Sequence, residues 1–365
     1  ERETTGGRPA PVDAPEHRDA HAHSLSPMTT SRGRLAAGLL LTCALATGCG
    51  GGTDDEAQTF VLDDAFADAS EATSYRVQSF TAQDLSSSLL GVDSETEIDE
   101  DRPDLTAEVT PGLSHMAVDL SAAMAPLSGD TDLGFELWVT PERITLDSRD
   151  YAALKEADRS ADLGPFEPGV SYLDLTGVAE DRPEIVELML GQGVTDLRQM
   201  SADLPEVLDD VERDGQTVTG TAPYAEVMAA MGTDVEQTSR SVAGGLALNL
   251  GIDVDELTEL YVEFYEATPA DVVIGLDADD SMSSVEFTVD LSDIYVSIFD
   301  RPEMFDPRPS EEELAQVEDL ASDTEWVITV LQRFEIDEHL QVEPAPETDD
   351  DRTDQWVAFL DGAGF

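Results

Sequence analysis

The chain holds two thiols, Cys43 and Cys49, both in the stretch LLLTCALATGCGGG, and their settings differ. Cys43 follows Thr42 and is followed by more apolar chain. Cys49 follows the small residues Ala46, Thr47 and Gly48 and precedes a run of glycines. A cysteine placed where an apolar run gives way to small residues suits cleavage before it and acylation of its sulfur. Other chemistry is sparse. The chain has no G-x-S-x-G, H-E-x-x-H, P-loop or G-x-G-x-x-G, so nucleophile, zinc and dinucleotide chemistries lack their usual scaffolds. Of five histidines, His17, His21 and His23 lie near the start, leaving His115 and His339 farther on. Asp277 to Glu286 resembles a calcium loop in its acids, but lacks the glycine and the twelfth-position acid such a loop needs, and is expected to be a hairpin turn. Asp253 and Asp255 are expected to cap a helix. No catalytic residue, metal ligand or cofactor is assigned.

Residues 1–27 mix Pro, Gly, His and charges without periodicity, and are expected to be a disordered or untranslated leader. From Met28 the pattern is orderly: Arg32 and Arg34, an uncharged run from Leu35 to Thr47, then Gly48 and Cys49. Residues 28–48 form a secretory signal, too short for a stable span. Ala46-Thr47-Gly48-Cys49 resembles a bacterial lipobox, with Ala46 in place of the preferred leucine. The rival reading is an ordinary signal-peptidase cut that leaves Cys49 a passive thiol. Residues 49–59 are expected to form a Gly-rich acidic linker. Two or more acyl chains, at about 0.8 kcal/mol per buried methylene, hold a protein that one chain retains only marginally. The expected location is the extracytoplasmic face of the cell membrane, through acylated Cys49.

Charge excludes one class of partner outright. Eighty acids against nineteen bases give a net charge of -61, and Lys155 is the only lysine, so a basic nucleic-acid-binding face is excluded. Self-repulsion on this scale weakens a compact state in dilute buffer, and salt shortens the Debye length to roughly 3 Å at 1 M. A salt-loving source and a general acidic bias of extracytoplasmic proteins both fit.

Residues 60–308 are expected to form the main domain. Leu62, Phe66 and Ala69 have helical spacing before a strand at Tyr75. Leu105, Ala107 and Val109, then Met116, Val118 and Leu120, alternate with polar residues as half-buried strands do. FELWVTPERITL reads as a hairpin, with Phe135, Leu137 and Val139 on one side and Ile144 and Leu146 answering them. A helix from Pro183 carries Ile185, Leu188 and Met189. Further helices run through Leu204 to Val211, Val227 to Met231, Val235 to a stop near Gly251, and Leu257 to Tyr265. A hairpin through Val272 to Leu276 and Val285 to Leu291 closes the pattern. Strands, inserted helices and closing strands predict an α+β fold: a curved antiparallel sheet with helices packed across one face. Residues 309–365 are expected to be an acidic, partly helical tail, with helices through Leu314 to Leu320 and Trp326 to Phe334. EPAPETDDDRTD is expected to be a disordered linker before the apolar patch Trp356, Val357, Phe359 and Leu360.

DAFADASEATSYRV, DGQTVTGTAPYAEVMAAMG and VVIGLDADDSMSSVEFTVDLSDI, in this order behind a lipobox, resemble the LolA-like superfamily and, within it, actinobacterial lipoproteins of the LppX/LprAFG type. The resemblance implies a half-barrel sheet whose concave apolar face, covered by helices, holds a lipid or glycolipid. It makes Met116, Val118, Phe135, Leu137, Val139, Phe287 and Val289 candidate cavity-wall residues. The alternative is a cell-surface interaction or sensor lipoprotein without lipid carriage, contacting an envelope protein through its tail. Charge alone generates one prediction: the unfolding midpoint rises between dilute buffer and molar salt, as followed by circular dichroism, and equal midpoints would refute the electrostatic reading.

Overall fold

The computed structural model describes residues 56–87, 92–121, 133–157, 163–182, 195–305 and 308–363. The leader, the signal segment, Cys49 with the glycines behind it, and the helix expected from Pro183 lie outside the described residues. Helix α1 (Glu56–Glu71) buries Leu62, Ala65, Phe66 and Ala69 on one face, as their spacing predicts. It begins within the segment expected to be linker.

One antiparallel sheet takes up β1 (Tyr75–Ser87), β2 (Val92–Thr96), β3 (Leu105–Thr110), β4 (Leu113–Asp119), β5 (Gly134–Val139), β6 (Arg143–Asp147), β7 (Val170–Asp174), β8 (Asp209–Asp214), β9 (Thr217–Pro223), β10 (Pro269–Leu276), β11 (Met282–Asp290) and β12 (Glu325–Ile336). Its order is β7-β6-β5-β4-β3-β1-β12-β11-β10-β9-β8, with β2 pairing on β1. Most neighbours are sequential, as short connections favour. The sheet does not close, because β7 and β8 stand at opposite ends. The result is an α+β half-barrel.

Among the described residues, the helices between strands are α2 (Ala152–Ala157), α3 (Leu175–Asp181), α4 (Leu197–Val207), α5 (Tyr224–Ala230), α6 (Val235–Leu250), α7 (Val254–Ala267), α8 (Ile294–Phe299) and α9 (Glu311–Ser322), and α10 (Thr353–Ala363) follows the last strand. Their ends obey local chemistry. The Asp234 and Asp253 carboxylates accept from the first free N–H groups of α6 and α7, and Gly251, at φ 68°, ends α6 in the left-handed conformation.

Two expectations for the C-terminal segment are overturned. The helix expected through Trp326 to Phe334 is β12, which pairs with β1 from Tyr75↔Ile336 to Ser86↔Glu325 and with β11 from Ser284↔Arg333 to Asp290↔Val327. A central strand contacted on both faces carries near-continuous apolar residues, so its spacing also satisfies a helical period; the β-branched run Val327-Ile328-Thr329-Val330 is the signal that favours a strand. The domain boundary expected at 308 therefore falls inside one sheet.

EPAPETDDDRTD is an ordered strap. Trp138 Nε1 donates to the Glu343 carbonyl (3.0 Å), Arg143 Nη2 to the Thr348 carbonyl (3.0 Å), and Thr348 Oγ1 to the Val170 carbonyl (2.7 Å). Edge strand β7 then pairs with it, since Tyr172 N donates to Asp350 O and Arg352 N donates to Tyr172 O, both at 2.9 Å. Arg352 is buried and donates to the Pro165 carbonyl (2.9 Å) and to the Asp350 carboxylate. Acids and prolines give this segment no ladder of its own, and the sheet edge supplies one.

Beyond the strap, α10 seats Trp356 against Phe166, at 5.2 Å between ring centroids, and the Phe359 ring lies 5.8 Å from the same ring. Two predictions follow from this closure. A chain ending at Pro309 lacks the strand between β1 and β11 and shows no cooperative denaturant transition. Trp356→Ala in the full chain lowers stability by about 3–5 kcal/mol, measured by the same titration.

Candidate functional site

Cross-strand register sorts the sheet into two faces. On the inner face Val77 lies between Ala107 and Phe334; Ala107, Met116, Leu137 and Leu146 form one row, and Leu105, Val118 and Phe135 the next. Across the centre, Val330 stands beside Phe287 and Val272, and Ile328 beside Val289 and Ala270. All seven candidate wall residues occupy this face. The helices that pack on it bury Met116, Phe287 and Val289 together with Phe66, Leu204, Val227, Leu257 and Ile294. A second cluster at the β5–β7 end joins Phe135, Ile144, Leu146 and Leu173 to Tyr151, Val178 and Trp356.

Between these clusters runs an apolar seam. Leu105, Val109, Val118, Leu137 and Val139 are half-buried there, and Leu137 and Val139 pack against both clusters. Trp326, Ile328 and Val330 of β12 are also half-buried on the same face. The expected wall residues thus divide: Met116, Phe135, Phe287 and Val289 are packed, whereas Val118, Leu137 and Val139 keep accessible surface. Ile328 and Val330 were concealed by the helical reading of their segment. Leu105 and Val109 showed the right alternation, but only register sets Leu105 beside Val118 and Val109 in one row with Ser114 and Val139.

The helix layer has a polar interior. Tyr224 and Tyr265 meet edge to face at 5.2 Å, Tyr261 lies 5.8 Å from Tyr265, and Tyr295 stacks on Trp326 at 6.3 Å. Burial pushes Tyr224 and Tyr295 up to about 12 and raises Tyr261 and Tyr265 as well, with neighbouring phenols adding to the last two. These phenols stay neutral at ordinary pH. Tyr261 Oη, Ser239 Oγ and Trp326 Nε1 are buried without a partner among the described residues. Nearer the seam, Tyr75 Oη donates to the Thr195 carbonyl and Thr195 Oγ1 to Gln332 Oε1, both at 3.0 Å.

The outer face carries charge. Arg76 bridges Glu335 (2.7 Å) and Glu108 (2.8 Å), while His115 meets Glu136 at 2.9 Å and stacks on Trp138 at 4.6 Å. This is an ion-pair ladder across neighbouring strands. A cleft of ≈ 320 Å³ lies against the same face, lined by Thr106, Ala117, Glu136 and Asp147 with the pairs Arg102–Asp119 and Arg149–Asp147 at its rim. The Asp277 carboxylate accepts from Asp279 N and Ser281 N, so the acidic stretch is the hairpin turn expected of it. Among the described residues no group of three His, Cys, Asp or Glu could hold a metal, and no helix is long and apolar enough to cross a membrane.

Sheet and helices together define an α+β domain whose open antiparallel half-barrel has its apolar face turned to a helical layer. No protein-family model matches the chain, and no curated protein matches it in sequence. Among solved structures it is similar to the lipoprotein LppX of Mycobacterium tuberculosis, at 13% identity over 80% of this chain and 100% of that one, with a TM-score of 0.28. It is similar also to LprF of Mycobacterium bovis, at 12% identity over 82% of this chain and 100% of that one, with a TM-score of 0.31.

The tyrosines generate a pH prediction. A phenol raised from 10 to about 12 in the fold favours the native state fully below pH 10, and this stabilisation is lost as pH rises toward 12. Ultraviolet tyrosinate absorbance will show these phenols ionising together with loss of far-ultraviolet ellipticity. Ionisation in an intact fold would refute their burial.

Proposed function

We propose that the chain is a membrane-anchored, extracytoplasmic lipoprotein that binds a lipid or glycolipid along the seam of its inner face. The observation that carries this reading is the set of half-buried apolar residues, Leu105, Val109, Val118, Leu137 and Val139, spread over three neighbouring rows of the covered face of the sheet. Apolar surface held there by a rigid sheet favours an apolar occupant at about 25 cal/mol per Å² removed from water. Acyl chains match it, having many methylenes and no polar group to satisfy. The resemblance of Ala46-Thr47-Gly48-Cys49 to a lipobox supports anchoring.

The alternative, a surface interaction or sensor lipoprotein whose acidic tail contacts a partner, would use the same segment that supplies β12 and the strap. His115 gains a structural role from Glu136 and Trp138, and no residue is assigned catalysis.

Two measurements test the proposal. Uptake of a fluorescent acyl-chain probe by the purified chain is expected, with Leu137→Arg lowering it at least tenfold while far-ultraviolet ellipticity is retained, the equivalent of about 1.4 kcal/mol. An intact variant that binds as well as the parent, or a parent that takes up no probe, would refute the seam. Cys49→Ala moves the protein from the membrane fraction to the soluble extracytoplasmic fraction, and unchanged fractionation refutes lipid anchoring.

A further inference from the structure

The C-terminal segment holds its place against two opposing terms. The first is electrostatic. Glu343, Glu347, Asp349, Asp350, Asp351 and Asp354 bring six carboxylates to a sheet end that presents Asp147, Asp174 and Glu167. Among the described residues, Arg143 donates to the strap and Arg352 lies within it, while Arg149 and Lys155 pair with Asp147 and Glu167. The second term is desolvation. Where α10 covers the aromatic cluster, Tyr151 Oη, Ser171 Oγ and Trp356 Nε1 are buried without a partner among the described residues, and each loses its water without replacement.

The segment is also attached differently from the strands. It crosses from the outer face, at Trp138 and Arg143, around edge strand β7 to the inner face at Trp356, and pairs with the edge through two backbone hydrogen bonds. Its inner end completes the cluster against which Val118, Leu137 and Val139 pack, so it forms one side of the seam. We propose that residues 343–363 are a salt-responsive lid on the β5–β7 end of the seam, closed at molar ionic strength and released in dilute solution while the rest of the sheet stays folded. The lid's action on a ligand rests on the lipid-binding reading; its release does not.

Screening makes the dependence steep, since the Debye length grows from roughly 3 Å at 1 M to 30 Å at 0.01 M. Carboxylates that ignore one another in strong salt then act together across the whole edge. Release uncovers Phe166 and Trp356 and frees the β7 edge.

The three tryptophans allow a direct test. Trp138 and Trp356 touch the clasp, whereas Trp326 lies in β12 beside Tyr295. Fluorine NMR of the full chain carrying fluorotryptophan, assigned by single Trp→Phe variants, is followed as salt is lowered. The Trp138 and Trp356 resonances are expected to move to a second state at an ionic strength where Trp326 is unchanged. Arg352→Ala is expected to shift that transition to higher salt. Three resonances that change together, or clasp resonances that stay fixed to low salt, overturn the lid. Stopped-flow uptake of the acyl-chain probe is measured in the same buffers. A clasp that opens without faster uptake overturns its gating role, and a chain that takes up no probe at any salt overturns the lipid reading while the NMR result stands.

Discussion

Everything in this molecule depends on keeping one face of an open sheet out of water. An antiparallel sheet with its apolar residues in register presents a continuous surface that must be covered, and a sheet that does not close cannot cover itself. The chain resolves this with helices inserted between strands and with a last helix brought round the edge. Because two separate covers meet the same face, the rows between them are only half-buried. The seam is a by-product of that division, and it leaves apolar surface accessible where a single helical layer would leave solid core.

Much of the architecture was legible in local patterns. Hairpins β5–β6 and β10–β11 alternate cleanly because one face of each is wet or polar, α1, α6 and α7 have stripes at helical spacing, and α6 and α7 have aspartate caps. Patterns failed where the environment is not one-sided. β12 is contacted on both faces, so its apolar residues fill both periods. The strap has no periodicity, since its backbone partners lie far away in sequence, on β5 to β7. The candidate wall was legible in type and in face, because period-two alternation fixes which residues point together. Which of them stay accessible was not, because that depends on where distant helices end.

The outer face shows how a chain so rich in acids places its few bases. Arg76 serves two carboxylates from neighbouring strands, Arg102 and Arg149 each hold an aspartate beside the cleft, and Arg352 is buried among carbonyls. Exposed pairs of this kind contribute little individually. Their value lies in relieving repulsion where carboxylates crowd across a strand, which explains why guanidinium groups, with several donors in a fixed fork, appear almost to the exclusion of lysine.

The position of β12 also sets an order of events. β1 is among the earliest segments of the fold and its partner is among the latest, so the sheet's central ladder joins residues at opposite ends of the domain. Contacts of such long range slow folding, since chain entropy is lost before any pairing repays it. A chain emerging from its amino terminus can assemble the β3–β6 meander and the β9–β11 group as separate pieces, with no strand to unite them. The sheet becomes one body only once β12, ending at Ile336, has joined β1 to β11.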